Sequence, residues 1–343
     1  MNSRELFRAA LCGENAPRAP FWIMRQAGRY LPEYRELKSS RSFIEIVKTP
    51  ELSLEAALQP IRRFDFDCAI LFSDILVAAE ALGFPYHFRD AGGIGLERTV
   101  RTMEDVESMP PAESIRERAA YAARALSMLR GELPQKAVIG FAASPFTLAS
   151  YMVEGGSSPD FPKFQSMIKN APDVFRALME RLTVATAEYL SMQAECGADA
   201  VQIFDSQAHL APAGRYGELS GGYVAEVLSR LGGKVPSILF ANGMAGRFEE
   251  IEQTGAGAYG VDAKSDMANI ARSAPSKPCL QGNLDPAELS ESEPGEVFAK
   301  TRAILDSMSP FGRHILNLGH GIRPDAKIEN VEAFVRAAKE AAR

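Results

Sequence analysis

The sequence predicts an α/β fold, a single-domain (β/α)8 TIM barrel spanning residues 1–343. Three observations carry that expectation. About eight short apolar runs of strand length recur along the chain, each separated from the next by a segment whose apolar residues have helical spacing. That many strand-helix units in 343 residues suit a closed barrel better than an open doubly wound sheet. No linker, long low-complexity segment or internal repeat divides the chain.

The elements follow in order. Residues 2–12 carry Leu6, Phe7, Ala10 and Leu11 at helical spacing behind Asn2 and Ser3, which suit helix capping. The first strand is expected at 21–24. Helices follow at 42–47 and 50–63, the second opened by Pro50 and carrying Leu52, Leu54, Ala56, Ala57, Leu58 and Ile61. A strand over 68–72 runs into Ser73 and Asp74, then a helix over 75–82. Residues 86–102 read as an inserted hairpin around Gly92, Gly93 and Gly95; a dinucleotide fingerprint would need a further glycine and a strand-turn-helix context, so a turn is expected. A helix over 115–129 precedes a strand at 137–141. From there the alternation is regular, with strands at 200–204, 237–241, 258–261, 279–282 and 314–318. Helices are expected at 146–153, 173–195, 216–231, 248–253, 266–274, 297–308 and 328–341.

Composition narrows the functional classes. Hydrophobic residues at 46% and charged residues at 24% are ordinary for a globular chain. No apolar run approaches the roughly 18 residues a membrane span needs, and the first eight residues have no signal-peptide core, so a soluble cytoplasmic protein is expected. Cys12, Cys68, Cys196 and Cys279 form no C-x-x-C pair, and His87, His209 and His314 are not at metal-ligand spacing. Neither a disulfide framework nor a metal site is expected. A net charge of −6 argues against nonspecific nucleic-acid binding, so an anionic ligand must be met by a local basic cluster.

Such a cluster lies in residues 20–35, where Arg25, Arg29 and Arg35 stand against the single Glu33. Arg25 and Arg29 leave one strand end together, and Ala27 and Gly28 between them let a ligand approach the backbone, which suits a receptor for carboxylates or phosphates. A solvated basic loop is the alternative. In barrels of this kind chemistry sits at the C-terminal ends of the strands. Those ends carry Arg25 and Arg29, Ser73 and Asp74, Ser144 and Thr147, Asp205 and Ser206, Asn242, Asp262, Asn283 with Asp285, and His320. Asp74, Asp205 and Ser206 also suit helix capping, and Tyr151 suits a helix core. His320, between Gly319 and Gly321, favours a ligand role because both neighbours permit close backbone approach. No Gly-x-Ser-x-Gly elbow supports acyl transfer.

The run Met24-Arg25-Gln26-Ala27-Gly28-Arg29-Tyr30-Leu31-Pro32-Glu33 closely resembles the uroporphyrinogen decarboxylase family. Further matching segments are Leu58-Gln59-Pro60-Ile61-Arg62-Arg63-Phe64, Leu71-Phe72-Ser73-Asp74-Ile75-Leu76, Pro145-Phe146-Thr147-Leu148 through Gly155, Gln281-Gly282-Asn283-Leu284-Asp285-Pro286 and Asn317-Leu318-Gly319-His320-Gly321. The resemblance covers essentially the whole chain. It implies a homodimeric (β/α)8 barrel that removes carbon dioxide from the four acetate side chains of uroporphyrinogen III, giving coproporphyrinogen III in haem biosynthesis without metal or cofactor. It places substrate binding at Arg25, Gln26, Ala27, Gly28, Arg29, Asp74, Tyr151, Ser206 and His320, with Phe43 at an aromatic contact, and catalysis at Asp74, Arg25 and Arg29. The sequence departs from the family pattern at Ala143, Ala263 and Arg323; the last two bear on packing near the cleft and on carboxylate recognition.

The implied chemistry suits these residues. Losing carbon dioxide leaves an electron pair that needs a sink, commonly a cofactor. A pyrrole supplies its own once a ring carbon is protonated. Two other classes are disfavoured. The cobalamin-linked methyltransferases of related fold hold zinc with a His-x-Cys pair, which this chain lacks, and a noncatalytic tetrapyrrole-binding protein would be expected to lose Asp74 or the arginines, which are present.

Overall fold

The computed structural model describes residues 1–14, 16–89 and 92–341. Its strands are β1 (Cys68–Ile70), β2 (Tyr86–Phe88), β3 (Ile94–Leu96), β4 (Ala137–Ala143), β5 (Ala200–Asp205), β6 (Ser237–Ala241), β7 (Ala258–Gly260), β8 (Cys279–Leu284) and β9 (His314–Leu318). Seven of them form a curled sheet in the order β1-β4-β5-β6-β7-β8-β9, every pairing parallel. β2 and β3 form the expected antiparallel hairpin, with Tyr86 opposite Leu96; its tip at residues 90–91 lies outside the described residues. Parallel strands need long crossovers, and helices supply them, covering the outer face of the sheet so that β4, for example, is buried along its whole length.

The strand expected at 21–24 is not a strand. Only Phe21 pairs, in a parallel bridge to Leu316 of β9. Leu316 N–H donates to the Pro20 carbonyl at 2.9 Å and Trp22 N–H to the Leu316 carbonyl at 3.2 Å, while on the other side Asp67 N–H donates to the Phe21 carbonyl at 3.0 Å. Side chains take over the remaining ladder positions. Asp67 Oδ2 accepts from Phe21 N–H, Gln26 Oε1 from Ile23 N–H and Asn317 Oδ1 from Met24 N–H. The backbone N–H groups of 21–24 are satisfied, but without the repeat that defines a strand.

A similar substitution shortens β1 relative to the expected 68–72. Past Ile70, the edge of β4 is held by Gln193, a fully buried amide on the helix Pro172–Glu195, whose Oε1 accepts from Phe141 N–H at 2.7 Å and whose Nε2 donates to the Phe141 carbonyl at 3.0 Å. A side chain on Gly140 would collide with that amide, so glycine is required there.

The helices largely follow the apolar periodicity, with two breaks. The helix expected over 115–129 is split at Ala119 into Ile115–Arg118 and Ala120–Glu132, and that over 216–231 begins with a π-turn at Gly217–Gly221 before Gly222–Leu231. The chain also folds helices over Pro32–Ser39, Met103–Glu107, Pro162–Asn170 and Glu288–Glu291 that the apolar pattern did not indicate.

At the N-terminal ends of the strands, two buried aspartates tie down the lead-in helix Ser3–Cys12. Asp67 takes both terminal guanidinium nitrogens of Arg18, at 2.5 and 2.8 Å, and the Ser3 hydroxyl at 2.6 Å. Asp199 takes Arg4 at 2.6 Å, Arg130 at 2.7 Å and Val138 N–H at 2.9 Å. Each carboxylate, cut off from water, is paired and hydrogen-bonded, the only condition under which such burial is tolerated. The opposite end of the sheet is thereby left for chemistry.

Candidate active site

At the C-terminal ends of the strands the loop after Met24 turns through Arg25, which has φ 63 and so lies in the left-handed region. A non-glycine residue there costs about 1–2 kcal/mol, offset here by the contacts that hold the loop. Tyr30 donates to the Gln26 carbonyl at 2.8 Å, and Arg35 donates to the Arg29 and Tyr30 carbonyls at 2.9 and 3.1 Å. Arg35 thus braces the loop rather than facing a ligand. Gln26 is buried, its amide donating to the Cys68 carbonyl at 3.1 Å, so its side chain is committed to the protein. Ala27 and Gly28 are half-buried, and a Cβ on Gly28 would press on the Arg25 carbonyl at 3.3 Å. Arg25 and Arg29 are exposed, and neither forms an ion pair among the described residues. Two uncompensated guanidinium groups on one loop remain available for carboxylates.

The glycines flanking His320 have separate causes. A Cβ on Gly321 would fall on the aliphatic part of Arg25, and a Cβ on Gly319 would fall on the backbone of Ala263. The first lets the Arg25 side chain lie against the His320 loop; the second seats that loop on the loop after β7. Burial pulls the His320 imidazole below its ordinary range, and the nearby Arg25 charge pulls it the same way, so neutral imidazole is favoured at pH 7.

Asp74 is partly exposed at the cleft. Its Oδ1 accepts Leu76 N–H at 2.8 Å, an Asx turn opening the helix Val77–Ala81, and its other oxygen accepts no hydrogen bond among the described residues. The capping role is therefore real and uses one oxygen. Burial pushes the carboxyl up to about 6, opposed by the Leu76 N–H and the Arg25 guanidinium. Tyr151, half-buried on the helix Pro145–Glu154, packs edge-on to Phe161 at 5.5 Å. Burial raises its hydroxyl, opposed by the side chains of Gln207 and Ser157 and by Arg25, while the Asp74 charge adds to the rise. Arg25 therefore lies within electrostatic reach of Asp74, Tyr151 and His320, and Asp74 within reach of Tyr151.

Ser206 is half-buried directly after β5, and its carbonyl accepts from Asn242 Nδ2 at 3.3 Å. Phe43 is half-buried against Phe72 at 5.6 Å and the exposed Phe88 at 5.1 Å, placing an aromatic wall beside the Ser73-Asp74 turn. Three other expected ring members serve the loops instead. Asp262 Oδ1 accepts from Lys264 N–H and the Ser265 hydroxyl, Asn283 donates to the Asp262 and Ser265 carbonyls, and Asp285 accepts from Ala287 N–H. Of the departures from the family pattern, Arg323 is exposed and paired with Glu291 at 2.7 Å, while Ala263 supports Gly319.

Sequence reasoning missed the aromatic row Phe141, Phe204, Phe240 on adjacent strands β4, β5 and β6. Their rings lie 5.6 and 6.2 Å apart, and Phe240 reaches the His320 ring at 6.1 Å. Inside apolar strand runs, nothing in the sequence separates these phenylalanines from ordinary core. Their signal is positional, all three being near the strand ends that carry the polar ring. An apolar row that ends on an imidazole suits a ligand built of apolar rings that carries polar substituents.

The uroporphyrinogen decarboxylase (URO-D) family model matches residues 2–341. The chain belongs to the uroporphyrinogen decarboxylase family. Relatives named uroporphyrinogen decarboxylase include that of Magnetococcus marinus, 40% identical over 99% of this chain and 97% of the relative. That of Alcanivorax borkumensis is 39% identical over 97% of this chain and 96% of the relative, and that of Coxiella burnetii is 40% identical over 96% and 93%. Among solved structures, a methyltransferase from Methanosarcina mazei covers 99% of both chains with a TM-score of 0.82 at 21% identity, a likeness of fold alone.

Proposed function

We propose that this chain is a uroporphyrinogen decarboxylase that converts the four acetate side chains of uroporphyrinogen III to methyls, releasing carbon dioxide and giving coproporphyrinogen III. The observation that carries the reading is the near-full-length match to relatives of that name at about 40% identity, together with the placement of Arg25 within reach of Asp74, Tyr151 and His320.

Each acetate exchanges a carboxylate for a proton. A proton added to a pyrrole carbon makes the ring electron-poor, the bond from the methylene to the carboxylate carbon breaks and its electrons flow into the ring, and the exocyclic methylene formed then takes a proton to become methyl while the ring carbon gives one back. The net uptake is one proton per carbon dioxide released. The ionised Asp74, through the oxygen not used by Leu76, accepts hydrogen bonds from pyrrole N–H groups and stabilises the cationic ring. Arg25 and Arg29 grip substrate carboxylates with planar forks that lysine cannot match. An arginine holds its proton too tightly to give it up unaided, with a pKa above about 12, so the proton is relayed through water. Tyr151, Ser206, His320 and the backbone at Gln26, Ala27 and Gly28 hold the macrocycle, with Phe43 along its edge.

The same reading takes residues 1–343 as one domain in which residues 20–24 complete a closed eight-part barrel, supported by their hydrogen bonds to Leu316 on one side and Asp67 on the other. It takes the active form as a cytoplasmic homodimer, as the family resemblance implies. No helix among the described residues is long and apolar enough to cross a membrane. Anaerobic incubation of chelator-treated protein with uroporphyrinogen III, then oxidation and separation of the porphyrins by carboxylate number, tests the proposal. Progression from eight carboxylates to four is expected; substrate that binds and keeps all eight would overturn it.

A further inference from the structure

Asp205, the last residue of β5, is fully buried, and no cation pairs with it among the described residues. Three hydroxyls satisfy it instead. Oδ1 accepts from Ser144 Oγ at 2.8 Å and Thr147 Oγ1 at 3.0 Å, and Oδ2 accepts from Ser220 Oγ at 2.6 Å. A hydroxyl has one hydrogen, so Ser144 and Thr147 both spend theirs on Oδ1 and turn their lone pairs outward. The Ser144 oxygen then accepts Thr147 N–H at 3.0 Å, capping the helix Pro145–Glu154, and the Thr147 oxygen accepts Gln207 N–H at 3.2 Å.

The two chains of hydrogen bonds end on the segments that carry candidate substrate contacts. Tyr151 lies one turn beyond Thr147 on the same helix face. Gln207 follows Ser206, and its side chain lies near enough to the Tyr151 hydroxyl to act on it electrostatically. Ser144 alone suffices as a helix cap, and a carboxylate without a counter-charge is a costly device for that purpose. What the carboxylate adds is a fixed direction for two hydroxyls at once, locking helix to strand end.

We infer that Asp205, acting through Thr147, is a positioning residue that fixes Tyr151 against Ser206 and so sets how the macrocycle is held. The inference rests on the substrate-binding reading of Tyr151 given above.

The test is a double-mutant cycle with uroporphyrinogen III as substrate, following KM, kcat and thermal midpoint. Thr147→Val keeps the shape and removes the hydroxyl; it is expected to raise KM about tenfold, and Thr147→Ser to restore it to within about twofold. Ser220→Ala takes a hydrogen bond from the other carboxylate oxygen without touching the helix-to-strand link, so it should lower the midpoint and leave KM unchanged. In a Tyr151→Phe background the Thr147→Val effect should shrink to under about twofold, because both act through one contact. Asp205→Asn takes the place of Thr147→Val if that variant does not fold. Equal KM losses in Thr147→Val and Ser220→Ala, or an undiminished loss in the Tyr151→Phe background, would overturn the inference alone. A Tyr151→Phe enzyme with wild-type kinetics would overturn the substrate role of Tyr151 and the inference with it.

Discussion

Asp74→Asn should make the protein more stable while removing its activity. The fold raises the Asp74 carboxyl from an ordinary 3.8 to about 6, chiefly by burial. A group whose pKa is raised on folding favours the protonated form, so its ionisation opposes folding. The penalty is absent well below pH 4, grows between pH 4 and 6, and is complete above about 6. Two pKa units at about 1.4 kcal/mol each give roughly 3 kcal/mol at pH 7.5, an upper bound because the side chain keeps partial access to the cleft. Asparagine has the same shape, retains the oxygen that accepts from Leu76 N–H and carries no charge. With an unfolding entropy of about 2.1 cal/mol/K per residue, a gain of that size raises the melting temperature by about 4 °C. At pH 4 the gain shrinks to about 0.5 kcal/mol. Turnover should fall by about a hundredfold or more, the usual loss when a group aimed at developing charge is removed. Thermal melts at pH 7.5 and pH 4, with turnover assays on the same preparations, check both halves. An asparagine variant that is less stable at pH 7.5, or that keeps most of its turnover, would refute the reasoning.

Three further outcomes follow from the same geometry. The wild-type kcat/KM should decline as pH falls through about 6, where Asp74 takes up a proton, and a profile that stays flat down to pH 5 would remove Asp74 from the role of ionised acceptor. Gly321→Ala places a methyl on the Cγ and Cδ of Arg25, so steady-state kinetics should show KM for uroporphyrinogen raised about tenfold; an unchanged KM would mean that Arg25 does not lie against the His320 loop when substrate binds. Asp199→Ala strands Arg4, Arg130 and Val138 N–H at the far end of the strands, which should cost about 3–5 kcal/mol in denaturant unfolding and leave KM as it is.

The sheet was legible because its strands are buried on both faces and read as largely apolar runs; β6 and β9 begin and end where that pattern places them. Residues 21–24 have the same apolar signature, yet the N–H groups of Phe21, Ile23 and Met24 go to the side chains of Asp67, Gln26 and Asn317, a contest that only the folded register reveals. A capping residue marked the start of the first helix, where Asn2 closes a capping box with Glu5. The short helices between the regular units depend on where surrounding loops pack and carry too few apolar residues to show a period. At the site, Arg25 and Asp74 stood out because charge at a strand end is conspicuous, and the structure puts them near each other. Gln26 looked equally available but turns inward, and Phe141, Phe204 and Phe240 were hidden by the apolar strands that contain them.

The exchange of each acetate carboxylate for one solvent proton is tested most directly by running the anaerobic reaction in D2O and measuring the mass and the methyl positions of the product after oxidation. A decarboxylase working by ring protonation leaves one deuterium on each of the four new methyl groups. Product methyls without solvent deuterium, or bound substrate recovered with all its carboxylates, would contradict the account.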